Sequence, residues 1–142
     1  MLLVADLATW LQSQTWWPLD PTQADPNNPL AVGTPEDFAM SPGNKPDRCV
    51  FVFPTAGAGF LLEQAFDVPG AQLRFRGAQR DYADTELMAK TIDKGLVTGW
   101  PTMIGGVDVG KIDRAGGAPA FLNRDPAGRV HFTGNYLFTS AY

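Results

Sequence analysis

One cysteine and one histidine in 142 residues leave little for metal or thiol chemistry. An intrachain disulfide and a multi-thiolate metal site are both excluded, and the remaining carboxylates, such as Asp108 and Asp113, lack the short dense spacing of a calcium loop. Charge is scarce as well: only 18% of residues are charged, thin for a solitary soluble protein, which suggests that a partner covers some of the surface. There is no basic excess, since 11 basic side chains face 15 acidic ones for a net charge of -4, and this argues against broad binding of nucleic acid or anionic membrane by the isolated chain. The N-terminal "MLLVADLATWL" lacks the basic start and long apolar run of a signal peptide, and Asp6 interrupts a membrane reading. Cytoplasmic synthesis without secretion is the expectation.

Catalytic and phosphate-binding motifs are missing too. "PTAGAGF" and "GGVDVGK" place glycines near strands, but neither has the spacing of a phosphate loop or a dinucleotide fingerprint, so they read as turns and bulges. Cys49 with His131 as base and an aspartate as orienter would fill the roles of an acyl-transfer triad. Cys49 sits in the buried-type run "CVFVF", without a glycine-rich elbow or helix start to raise its thiolate population, so a hydrogen-bonded histidine on a strand face is the better reading. No catalytic residue, cofactor or metal is assigned, and enzymatic activity is not expected.

What is present points to one domain spanning residues 1–142, because 15.4 kDa accommodates one core comfortably. Leu3, Leu7, Trp10 and Leu11 recur at helical spacing and predict an amphipathic helix over Leu2–Gln14. Residues 15–46 hold seven of the 12 prolines and read as a long loop without a helix, with Trp16, Trp17, Leu30 and Phe38 arguing for partial packing. "CVFVF" predicts a strand covered on both faces, ended by "PTAGAGF", and "AQLRFRG" resumes a two-residue period with Leu73 and Phe75 opposite Gln72, Arg74 and Arg76. Asp81 caps a predicted helix whose inward stripe is Thr85, Met88, Ala89, Ile92 and Leu96.

The remainder reads as a meander. Val107 and Val109 alternate, Ile112 falls out of phase through a bulge or bend at Gly110, and Ala120–Asn123 forms a short strand. "DPAG" is a turn between this strand and an alternating one, in which Val130, Phe132, Tyr136 and Phe138 oppose His131, Thr133, Asn135 and Thr139. The fold expected is α+β, with an antiparallel sheet of about four to five strands and two helices packed on one face.

Residues 1–70 carry eight acids and two bases, whereas residues 71–142 carry seven acids and nine bases, an asymmetry able to orient subunits. Arg74 and Arg76 on one strand face and Arg124 and Arg129 bracketing the hairpin form the best positive cluster, suited to carboxylates between subunits or to a passing polyanion. Trp16 and Trp17 read as core or subunit contacts.

The elements "LATWL", "PDRCVFVFPTAGA", "LRFRG" before "YADTELMAKTI", and above all "GGAPAFLNRDPAGRVHFTGNY" resemble the small tail terminator family of long non-contractile tailed phages, also described as minor capsid or tail-completion proteins. The resemblance covers Asp47–Tyr142 well, the first helix loosely and residues 15–46 little. It implies a ring, a hexamer in that family, on the head-proximal end of the tail tube. Such a ring stops polymerisation of the major tail tube protein, offers a surface to the head-completion protein, and lets double-stranded DNA cross its opening without sequence-specific binding. It implies a place in the virion after assembly in the host cytoplasm, with no membrane partner. Under it, Arg74, Arg76, Arg124 and Arg129 are candidates for subunit or lumen contacts, and Trp16, Trp17 and Phe38 for contacts made by the long loop. The rival readings are a head-completion or connector protein on the portal side, and a small-ligand binding module lined by Trp16, Trp17 and "PTAGAGF".

Overall fold

A computed structural model describes residues 4–14, 16, 31–39, 47–61 and 66–141. In chain order the elements are α1 (Val4–Ser13), β1 (Ala31–Gly33), α2 (Pro35–Ala39), β2 (Cys49–Leu61), β3 (Phe66–Gln79), α3 (Tyr82–Thr98), β4 (Thr102–Ile104), β5 (Val107–Arg114), β6 (Ala120–Arg124) and β7 (Arg129–Ala141). Among the described residues no helix is long and apolar enough to cross a membrane.

The expected sheet of four to five antiparallel strands with two helices is overturned. Seven strands form one mixed sheet in the order β1-β2-β3-β7-β5-β4, with β6 also paired to β7, and the sheet curls into a half-barrel. Its mixed character comes from β1, which runs parallel to β2 in the register Ala31↔Cys49 to Gly33↔Phe51. The curl has a local cause, because the ladders shift register at Thr55/Gly59, Arg76/Gln79, Val109/Lys111 and Phe121/Asn123. Each extra residue bends its strand and adds right-handed twist. The bulge expected at Gly110 is one of these. At the first shift, Gly57 adopts a φ of 68°, and "PTAGAGF" is carried as an irregularity inside a 13-residue strand instead of ending it.

Strand β7 is the spine. It pairs with β3 along one edge, while β6 and β5 divide the other edge, β6 meeting Val130–Thr133 and β5 meeting Tyr136–Ser140. The amide of Ala115 donates to the Asn135 carbonyl (2.8 Å) at the handover between them.

The inner face buries Val50, Val52, Leu73, Phe75, Phe132, Tyr136 and Phe138 against Leu7, Trp10 and Leu11 of α1 and Met88, Ala89, Ile92 and Leu96 of α3. The stripe expected on α3 is therefore the one buried, and Asp81 caps it as expected, accepting from the Asp84 amide at 3.1 Å. Asp93, four residues after Ala89, falls on this inward side and is buried as well. It accepts from Tyr136 Oη (2.8 Å) and from Arg114 Nε (2.9 Å) and a terminal guanidinium nitrogen, joining α3 to β7 and β5. Burial, together with the adjacent Asp93 carboxylate, pushes the Tyr136 hydroxyl well above its ordinary pKa, so it stays a donor.

The segment 15–46, expected to be a long, partly packed loop without a helix, contains β1 and α2. The local reason lies in "TPED": the Thr34 amide and hydroxyl donate to Asp37 Oδ2 at 2.7 and 3.0 Å, the Asp37 amide returns a bond to Thr34 Oγ1, and Pro35 occupies the first helical position. This third helix lies on the opposite face from α1 and α3, so the expectation of helices on one face only is corrected too.

Candidate functional site

The outer face of β2, β3 and β7 carries the polar parity of each strand. Register sets Cys49 opposite Arg76 and Arg76 opposite His131, so the three lie in a row across the sheet with Arg74 and Thr133 paired one step further along. Adjacent strands are about 4.8 Å apart, so Cys49 and His131 are held roughly 10 Å apart at the backbone with a guanidinium between them. That is a poor arrangement for a thiol and its base.

Arg76 is only 2% exposed. Its Nε donates to the Asp47 carbonyl (2.9 Å) and its guanidinium lies 4.8 Å from the centre of the Phe51 ring. Arg74 stacks on Phe38 at 4.9 Å, and Phe38 also meets Phe51 and Phe53 edge-on at 5.1 and 5.4 Å. Burial lowers the pKa of both arginines, and for Arg76 the nearby Arg129 charge lowers it further, against Cys49, Asp47 and Asp125. A planar, weakly hydrated guanidinium tolerates this environment better than an ammonium would.

The "DPAG" turn organises the end of this face. The Gly128 amide closes the turn on the Asp125 carbonyl (2.8 Å), and Gly128 itself takes a φ of 82°, a left-handed conformation that follows naturally from a type I turn in a hairpin. Asp125 Oδ1 accepts from the Ala127 and Arg129 amides at 3.0 Å each, and Oδ2 from Arg129 Nε (2.8 Å) and His131 Nε2 (3.0 Å). Burial alone would raise the Asp125 pKa, but the bonds from His131 and Arg129 and the Arg129 charge outweigh it and hold the carboxyl at about 2, against an ordinary 3.8. The His131 pKa also falls, from its ordinary 6.5: burial lowers it, Asp125 opposes that, and Arg74 and Arg76 add to the lowering. It is therefore neutral near pH 7, with its proton on Nε2 toward the carboxylate. Nδ1 is left as a buried acceptor, and among the described residues nothing donates to it.

These groups line a cavity of about 420 Å³ bounded by Phe38, Arg76, Asp125, Arg129 and His131 and by the turn residues Pro126 and Ala127. Of the sequence candidates, the structure brings Phe38, Arg76 and Arg129 together here, with Arg74 stacked on the Phe38 ring and Arg129 9% exposed and also paired to Asp47 at 3.5 Å. Arg124 stands apart, exposed on β6. Trp16 lies on the helical side, 6.0 Å edge-on from Trp10 and so close over Gly95 that a Cβ there would collide with the indole. Trp17 and Leu30 lie outside the described residues. Asp125 and His131 as a pair, with Asp47 beside them, were missed as a site in the sequence. Their signal was present in the six-residue spacing across a turn, where a turn-opening aspartate and an outer-face histidine fall on the same side.

A second surface is apolar. Every residue of β6 is exposed, Phe121 by 45% and Leu122 by 40%, and Phe121 leans on Tyr82 with ring centres 5.5 Å apart. Leu87 on α3 and Met103 on β4 are exposed as well. Compared with models of known protein families and with characterised protein sequences, the chain matches none.

Proposed function

We propose that this chain is a structural virion subunit that forms a ring on the head-proximal end of a phage tail tube, ends tube growth and offers the surface to which the head attaches. The observation that carries the reading is the exposed strand β6. It pairs with β7 on one side only, all five of its residues face solvent, and it presents Phe121 and Leu122 beside Tyr82. An open strand edge with adjacent apolar side chains is a template for pairing, and a protein that keeps one has a use for it or aggregates. Closure of several copies into a ring covers the edge of each with its neighbour and leaves no growing end. The half-barrel adds to this, since a curled but unclosed sheet retains the edges that full closure would remove.

Capping then follows from asymmetry. One ring face binds the last ring of the tube, the other differs from it, and the next tube subunit finds no site. Contacts that are weak singly become firm when repeated around a ring, because each later contact forms at high effective concentration. Of the four arginines read from the sequence, Arg124 is the one on this exposed strand, and it is the position for a neighbour's carboxylate or for DNA crossing the opening.

Electron microscopy of tube protein assembled with and without the purified chain tests the reading. Shorter tubes with extra density at one end are expected, and Leu122→Asp restores the uncapped lengths while leaving the monomer's circular dichroism unchanged. Unchanged tube length with no density at either end overturns the proposal, and density on isolated portals instead of tubes transfers the chain to the head-completion side.

A further inference from the structure

We infer that α2 is a pH-sensitive flap on the outer face of the sheet, closed while His131 is neutral and lifted away when His131 takes up a proton. The inference does not depend on ring formation. Its geometry starts at the two ring nitrogens: Nε2 meets the Asp125 carboxylate at 3.0 Å, whereas Nδ1 is closed off from solvent and has no partner among the described residues. In the neutral ring Nδ1 is an idle acceptor. Protonation turns it into a charged N–H donor with neither an acceptor nor water to receive it, which is much the costlier state to bury.

Charged and titratable groups surround this ring on every side. Asp125 and Arg129 come from the turn and the start of β7, Arg74 and Arg76 from β3, Cys49 from β2, Asp47 from just before it, and Glu36 and Asp37 from α2. Most are already engaged: Arg129 pairs with Asp125 and Asp47, Arg76 donates to the Asp47 carbonyl and stacks on Phe51, and Asp37 accepts from Thr34. A proton on His131 is opposed first by burial, favoured by Asp125, and opposed again by the charges of Arg74 and Arg76, with a net lowering below 6.5. A group whose pKa is lowered in the closed form favours closure at neutral pH, and that preference is lost as pH falls below the open-form value near 6.5. The part that yields is α2. It is a single turn of five residues whose half-buried Phe38 ring stands edge-on to His131, centroids 6.4 Å apart, while the strands beneath are fixed by their ladders. Lifting Phe38 opens His131 to water without breaking a strand pair.

Amide exchange at Asp37 and Phe38, whose N–H groups bond to Thr34 at 3.3 and 3.1 Å, reads the flap, because one detached turn does not hold its own hydrogen bonds. Corrected for the intrinsic pH dependence of exchange, opening is expected to be at least threefold more frequent at about pH 5 than at about pH 7.5, within the roughly thirtyfold limit set by one histidine with an open-form pKa near 6.5. The α3 amides serve as the unchanged reference. This window lies above the ordinary carboxylate range, so the aspartates stay ionised across it. His131→Gln, which keeps a donor toward Asp125 and does not titrate, is expected to abolish the rise. Phe38→Ala is expected to bring the His131 pKa up toward its ordinary value, read by NMR from the chain's only histidine. Exchange at Asp37 and Phe38 that does not change in the parent overturns the inference, as does a folded His131→Gln protein that keeps the parent's rise. Should His131→Gln fail to fold, the parent's own titration decides: an imidazole pKa at or above 6.5 overturns the flap.

Discussion

The inner face of the sheet carries Val50, Leu73, Phe75, Phe132 and Phe138 under two helices, whereas the outer face carries Cys49, Arg74, Arg76 and His131 under a helix of five residues. Both are largely shielded from water. They differ in what shielding demands: an apolar face needs only volume and shape, while a charged one needs a specific partner for each group. The inner face is satisfied wherever side chains interlock. The outer face is satisfied only where a carbonyl, an aromatic ring or a carboxylate stands at the right distance, and among the described residues three of its atoms find no partner.

The comparison breaks most sharply at Phe75, which is fully buried on the inner face. Phe75→Ala should cost about 3–5 kcal/mol, read from the urea midpoint, because it leaves a cavity ringed by β-strand backbone that cannot collapse. A loss below about 1 kcal/mol would mean the inner face is loosely packed. Next comes Asp93, a charged group buried on the inner side. Asp93→Ala should cost about 2–3 kcal/mol by stranding the Tyr136 hydroxyl and the Arg114 guanidinium, with Asp93→Asn recovering part of it.

The smallest effect sharpens the outer face. Asp125→Asn should cost about 1–2 kcal/mol at neutral pH through weakened bonds to Arg129 and His131. The folded Asp125 pKa is depressed from 3.8 to about 2, so its contribution is complete above about pH 4 and fades as pH falls toward 2. Parent and variant should therefore converge in acid denaturation below that window. Curves that stay parallel down to pH 2 would show that the carboxylate does not organise the turn.

Legibility in the sequence followed how local each cause was. The helix after Asp81 was readable because its cap and its stripe lie within its own residues, and β7 because alternation from Val130 to Phe138 needs no partner to be seen. The bulge at Gly110 was readable as a break in phase. By contrast, β1 is three residues whose parallel partner begins 18 positions later, a pairing no local pattern announces. Strand β4 is equally short. The continuation of β2 through "PTAGAGF" was hidden because glycine ends most strands, yet here a register shift absorbs it. Burial of Arg76 was hidden for a different reason. Alternation placed it correctly opposite Phe75, but only the tertiary structure brings the Asp47 carbonyl and the Phe51 ring to meet it.

Because β3, β5 and β6 all hydrogen-bond to β7, the order of synthesis matters. A nascent chain that has emerged only as far as Asp125 holds one ribbon of β2 and β3 and a separate hairpin of β4 and β5, with α3 packed on both but no strand to zip their edges together. Completion of the sheet waits for β7 to leave the ribosome, so a chain shortened before Tyr136 is expected to leave β5 unpaired along β7 and open to proteases.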